Sequence, residues 1–297
     1  MKLPKPPRLP KPPPLPAWTA ALRLPRLPDW IVYAAAVLAL AALAVGGQER
    51  ADAPPAPPPI AGADEALTAA SGSLPPSALK RLPAGAVESA SGTAFSVSDA
   101  GVWITARHVV GGCRRTAVLV SGGRGVEAKV SADPLSDLAV LVTEGGAPPL
   151  PLAPSGPLGP GQRGYHPGFP GGQPGEAATR LLGRYELGGQ ARGSRPEPVL
   201  AWAEVGRTDG LKGSLAGLSG APVLDRAGRV VGVTLAESPR RGRIYSAPPE
   251  AIQAALVHAG RKASGFAQGQ VITTDNYGRA ADGLRRDLRV AQVVCLS

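Results

Sequence analysis

From about residue 86 the apolar positions come in short runs. "TAFSV", "VWITA", "RTAVLV", "VEAKVSA" and "DLAVLV" are separated by "SDAG", "GGC", "SGGRG" and "DPLS". Further on come "RLLGRYELG", "PVLAWAEVG", "GAPVLD", "RVVGVTLA" and "GRIYSA". Runs this short, punctuated by turn formers, predict an all-β barrel or sandwich rather than alternating strands and helices. The proline- and glycine-rich stretch 147–162 divides them into two groups, which fits two linked β-barrels. One helix is predicted after the last strand, "PPEAIQAALVHAG", with proline at its start and Gly260 at its stop.

The pattern upstream is different. Residues 30–47, "WIVYAAAVLALAALAVGG", carry no charge and are near the lower limit of roughly 17–25 residues for a membrane-spanning helix. No polar face interrupts the run, which argues against a buried soluble helix. The basic arm before it predicts a cytoplasmic N-terminus and a translocated remainder. A retained signal anchor is the expectation, and a cleaved signal peptide is the competing reading because "ALAALA" offers small-residue cleavage points. The chain thus divides into a basic Pro-rich arm (1–29), a transmembrane anchor (30–47), a Pro/Ala-rich linker (48–72), a β-rich domain (73–260) and a C-terminal extension (261–297).

Charge changes this picture little. The net charge is +10 over 297 residues, and the six basic residues of the leader against the single Asp29 supply half of the excess. Aromatic residues are only 4% of the chain and do not interleave with basic ones, so nucleic-acid binding is not expected. No metal-ligand cluster, phosphate loop or dinucleotide fingerprint is visible, and no cofactor is expected. The two cysteines, Cys113 and Cys295, both fall in the translocated part, where a disulfide is allowed and two separate thiols are equally open.

The candidate chemistry is sparse enough to weigh residue by residue. Of the three histidines, His258 lies on the closing helix and reads as structural or exposed. His166, in "GYHPGFPGG", reads as a surface loop residue. His108 ends "VWITARH", at the point where an apolar strand meets solvent, so one neighbour can set its tautomer. Asp137 stands directly ahead of another apolar strand, in "DPLSDLAVLV", and Ser219 follows in "GLSGAPVLD". The order His, Asp, Ser is that of one of three unrelated triad architectures. A serine hydroxyl needs an imidazole to take its proton, and a carboxylate to orient that imidazole. Gly217, two residues ahead, permits the turn that would aim the N–H groups of Gly217 and Ser219 at one oxyanion.

"SGTAFSVSDAGVWITARHVV", "DPLSDLAVLV" and "GLSGAPVLDRAGRVVGVTLA" resemble the His, Asp and Ser blocks of bacterial trypsin-like serine peptidases, especially the HtrA/DegP-like group. "GQRGYHPGFPGGQPGEAATRLLGRYE" resembles the segment that opens that group's second barrel, and "GRIYSAPPEAIQAAL" its last strand and closing helix. The resemblance spans about residues 86–258. It implies two six-stranded antiparallel β-barrels with a C-terminal helix, and a membrane-anchored serine endopeptidase acting on proteins or peptides on the periplasmic side of the inner membrane. It also implies His108 as general base, Asp137 as orienting carboxylate and Ser219 as nucleophile. Two departures stand out: Ala221 replaces a usual glycine, and residues 261–297 are too few for the PDZ module usual in that group. With no acidic residue just before Ser219 or in "VGVTLA", the resemblance implies a small or medium apolar side chain at the cleavage site.

In the extension, Ala280, Leu284 and Leu288 share one helical face, and Arg279, Arg285, Arg286 and Arg289 give it a basic side, which predicts a packed extension that either regulates the cleft or does not. Two rival functions remain. A catalytically inactive trypsin-like scaffold or binding module would keep the barrels. An α/β-hydrolase would use Ser219, Asp225 and His258, but the serine is followed by strand-like runs and its G-x-S-x-G pattern fails at Ala221.

Overall fold

The computed structural model describes residues 79–81, 87–120, 124–187, 196–265 and 267–296. The 30–47 segment and the 48–72 linker lie outside the described residues, and among those described no helix is long and apolar enough to cross a membrane.

Five strands of a first barrel follow in chain order: β2 (Val87–Ser98), β3 (Val102–Ala106), β4 (Arg115–Leu119), β5 (Arg124–Ala132) and β6 (Leu138–Thr143), while a short β1 (Leu79–Arg81) pairs with β5. Five strands cannot close this ring, because β2 and β4 do not pair with each other. The sixth comes from the far end of the chain. Strand β13 (Val290–Leu296) inserts between β2 and β4, antiparallel to both, with Val293 opposite Gly92 on one side and Val118 on the other. The β5–β6 pairing then completes the barrel. Phe95, Trp103, Ile104, Leu138, Leu141, Val290 and Val293 fill it, and Trp103 Nε1 donates to Thr143 Oγ1 at 3.0 Å.

The extension is therefore a structural stave of the first barrel rather than an appendage. Before β13, helix α3 (Tyr277–Arg286) packs on the second barrel; it stops short of the predicted face, because Leu288 adopts φ +55° and Arg289 N caps Leu284 O at 2.9 Å. Of the basic side, Arg279 is exposed whereas Arg285 is buried.

The second barrel is a closed ring of β7 (Arg163–Gly168), β8 (Gly175–Leu187), β9 (Glu197–Arg207), β12 (Arg243–Ala247), β11 (Val230–Ser238) and β10 (Pro222–Leu224). Its core holds Leu181, Leu200, Trp202, Leu218, Val223, Val231 and Ile244. Strand β7 was expected as a loop because of its prolines and glycines. It is a strand in which Gly164 lets the Trp202 ring approach, since a Cβ there would lie 2.8 Å from the indole. His166 accordingly is not on the surface: it is fully buried, with Nδ1 and Nε2 bonded to Thr234 Oγ1 and Thr179 Oγ1 at 2.8 and 2.9 Å.

Two further helices matter for the site. One turn, α1 (Arg107–Val110), follows β3 directly, and α2 (Pro249–His258) follows β12, with Pro249 in its first turn and Gly260 left-handed after its end. The fold is thus two six-stranded antiparallel β-barrels with few helices.

Candidate active site

His108 is the second residue of α1, and three bonds fix it to the loop that precedes β6. Arg107 N donates to Asp137 O at 2.9 Å, His108 N donates to Asp137 Oδ1 at 3.0 Å, and His108 Nδ1 lies 2.6 Å from Asp137 Oδ2. With the carboxylate on Nδ1–H, the neutral ring carries its free lone pair on Nε2, the state a general base requires. The imidazole is 46% exposed and so can meet a substrate, whereas the carboxylate is 24% exposed.

The Asp137 loop is itself secured from three directions. Asp137 N donates to Glu197 Oε1 of β9 at 2.9 Å, which ties the loop to the second barrel. Burial pushes the Glu197 carboxyl above its ordinary range and the Asp137 charge adds to this, while the Asp137 N–H and Arg107 oppose it. Asp133 closes the loop from below: its N–H donates to Leu138 O at 2.9 Å, its carboxylate accepts the Ser136 hydroxyl, and His258 Nδ1 of α2 meets Oδ1 at 2.6 Å. That carboxylate is 1% exposed, so its partners replace water almost entirely.

Ser219 stands on the opposite barrel, in the turn before β10. Glycines are needed on both sides of it. Gly217 has φ +97° and a Cβ there would lie 2.4 Å from Phe169 O, and Gly220 has φ +86° with Thr93 O at 2.0 Å and Ala106 N at 2.9 Å from a Cβ. The second contact seats the serine turn against the end of β3, two residues from His108. Ser219 O also accepts Thr93 N at 2.8 Å across the barrel interface. Ala221 has no such constraint; its methyl is fully buried in the second core.

Ser219 Oγ donates to Leu235 O at 3.3 Å, and among the described residues no Ser219–His108 hydrogen bond is formed. Leu218 N and Gly220 N are used by Leu215 O and Thr234 O at 2.9 and 2.7 Å, whereas the N–H groups of Gly217 and Ser219 donate to no protein acceptor among the described residues.

The structure thus brings His108 and Asp137 together and seats Ser219 on the facing barrel. Cys113, five residues past His108, is disulfide-bonded to Cys295 of β13. Asp225 and His258 are engaged elsewhere, with Arg229 at 2.7 Å and with Asp133. An α/β-hydrolase site is not assembled, and both sheets are antiparallel. Thr93, Asp133 and Glu197 escaped the sequence reading, which had Arg285 only as part of a basic helix side; none of them carries a local signal, Thr93 being one of several polar residues in its strand.

Two antiparallel barrels with a His–Asp pair on one and a glycine-framed serine on the other define the trypsin-like class of folds. Residues 92–233 match the family model described as a trypsin-like peptidase domain. No curated protein matches the chain. Among solved structures, the active form of the Rv3671c protease from M. tuberculosis is 22% identical, with 75% of this chain and 93% of that one covered, at a TM-score of 0.51, which is a likeness of fold. The HtrA-type protease AlgW with a decapeptide is 21% identical over 57% of this chain and 50% of that one, at 0.45. The MamO protease domain from Magnetospirillum magneticum is 20% identical over 61% and 96%, at 0.44.

Proposed function

We propose that the chain is a serine endopeptidase, and that residues 30–47 anchor it in the inner membrane with the peptidase on the periplasmic side. The His108 Nδ1–Asp137 Oδ2 contact of 2.6 Å carries the catalytic part of this reading, because it leaves Nε2 as the base. Ser219 Oγ attacks the scissile carbonyl carbon while its proton passes to His108 Nε2. The N–H groups of Gly217 and Ser219 receive the oxyanion. His108 then delivers the proton to the leaving amine, and water repeats the sequence on the acyl-enzyme. The Ser219 hydroxyl must leave Leu235 O for His108, a bond that commonly tightens only with substrate bound. Glu237, just beyond "VGVTLA", is occupied by the Ser214 hydroxyl and by Leu215 N at 2.8 Å, which supports an apolar rather than a basic side chain at the cleavage site.

The same Ser219–Leu235 bond favours the second reading, an inactive scaffold tethered to the membrane. The experiment that separates the two is labelling of the full chain in detergent with a fluorophosphonate probe, beside Ser219→Ala and His108→Ala. The peptidase reading expects labelling of the wild type alone. A folded wild type that takes no probe overturns it and leaves the scaffold. Insertion of the full chain into inverted membrane vesicles, followed by protease protection, tests the anchor: an unprotected peptidase domain would overturn the proposed orientation.

A further inference from the structure

The backbone of the nucleophile turn rests on the segment that joins β7 to β8, residues 168–175. Gly171 N donates to Ala216 O at 2.5 Å. Thr93 Oγ1 accepts Phe169 N at 3.1 Å and donates to Gly217 O at 2.8 Å. A Cβ on Gly217 would run into Phe169 O. Because a peptide's C=O and the following N–H point in opposite senses, fixing the carbonyls of Ala216 and Gly217 fixes where the N–H groups of Gly217 and Leu218 point. The 168–175 segment therefore sets the direction of the Gly217 N–H.

One side chain of the C-terminal extension pins both ends of that segment. Arg285 on α3 donates through Nη1 to Gly168 O at 3.3 Å and to Gly175 O at 3.2 Å. Through Nη2 it reaches Glu176 Oε2 at 3.0 Å and Asp282 Oδ1 at 2.5 Å. The guanidinium is 9% exposed and the Glu176 carboxylate 3%. Burial pushes the Glu176 carboxyl up, and Arg285 opposes that rise. A buried charge is tolerated when its hydrogen bonds are met, and a planar fork that spans two carbonyls orders the chain between them. Strand β13 meets the same segment, since Gln292 Nε2 would lie 3.5 Å from a Cβ on Gly172.

We propose that Arg285 is a positioning residue for the oxyanion-binding turn, and that docking of the C-terminal extension is thereby a condition for acylation of Ser219. The inference rests on the peptidase reading. Arg285 touches no reacting atom; it acts through Gly168 and Gly175 on Phe169 and Gly171, and through them on Gly217.

The test is the second-order rate of fluorophosphonate labelling of the full chain, measured well below the melting midpoint of each variant. Arg285→Ala, folded by near-ultraviolet circular dichroism, is expected to label roughly 10–100-fold more slowly, less than the roughly 100–1,000-fold lost with an oxyanion donor itself, because the Gly217 N–H is misaligned and not removed. Added guanidinium ion is expected to restore several-fold of that loss, and Arg285→Lys to retain part of the rate. A purely structural role would lower the melting midpoint without moving the labelling rate or responding to guanidinium, and that result overturns the proposal. If Arg285→Ala does not fold, Glu176→Gln takes its place: slower labelling supports the proposal, and a wild-type rate overturns it. A wild type that takes no probe overturns the peptidase reading and this one with it, whereas a labelled wild type beside an equally labelled Arg285→Ala overturns this one alone.

Discussion

Thr93 Oγ1 of the first barrel donates to Gly217 O at 2.8 Å and accepts Phe169 N at 3.1 Å, so one buried hydroxyl joins three segments behind the candidate oxyanion site. The side chain is fully buried and water cannot replace it. Thr93→Val keeps the shape but leaves the part-buried Phe169 N–H and Gly217 C=O without this partner, at a cost of about 1–2 kcal/mol. The expected outcome is a lower denaturant midpoint and about ten-fold slower fluorophosphonate labelling, with Thr93→Ser close to wild type in labelling. Equal labelling of Thr93→Val and wild type would show that the hydroxyl supports folding only.

His166 gives stability a pH dependence of known sign. Burial lowers its pKa from the ordinary 6.5 to about 3, and both ring nitrogens are bonded to threonine hydroxyls. Below pH 6.5 the unfolded chain takes up a proton that the folded chain refuses, so stability falls as pH drops from 6.5 towards 3. By pH 4.5 the loss from this residue is roughly 2–3 kcal/mol. Urea unfolding of wild type and His166→Gln at pH 7.5 and pH 4.5 should show a smaller pH difference in the variant; parallel losses would assign the acid sensitivity to other groups.

How much of this was legible in the sequence follows from what kind of information each feature needs. The runs "VWITA" and "RVVGVTLA" announce themselves because each strand's own residues are apolar and bounded by turns. The candidates His108, Asp137 and Ser219 each stand in a local block that singles them out from the sequence. Strand β7 was not, because its prolines and glycines are turn formers, and it takes the Trp202 ring pressing on Gly164, and Thr93 and Leu218 pressing on Gly168, to explain why glycines sit in a barrel. Strand β13 was hidden by distance: "VAQVVCL" pairs with residues far earlier in the chain. Thr93, Glu197 and Arg285 act on other segments' backbones, so nothing adjacent to them in the chain marks their roles.

The Cys113–Cys295 disulfide ties the turn after α1 to β13 across a separation of 182 residues. Cross-linking so long a loop restricts the unfolded chain, and its loss is expected to cost about 2–4 kcal/mol. Cys113→Ser with Cys295→Ser should lower the urea midpoint while the folded fraction keeps its barrel. An unchanged midpoint would mean that strand pairing alone holds β13.

Removing β13 is a different matter from removing a tail. Deletion of residues 290–297 takes away the strand that pairs with β2 on one side and β4 on the other, exposes two unpaired edges, and empties the first core of Val290 and Val293. It also breaks the barrel at β2, the strand that carries Thr93 and the backbone contact to Ser219 O. The expected result is loss of cooperative unfolding and of near-ultraviolet dichroism, with fluorophosphonate labelling lost at the same time. Truncation at residue 262 would therefore report on folding and could not by itself distinguish a regulatory tail from a structural one. A chain ending at residue 289 that melts cooperatively at the wild-type midpoint would overturn the role of β13 as a stave. A peptide of residues 287–297 added to that chain should, by refilling the gap between β2 and β4, restore labelling in proportion to its occupancy.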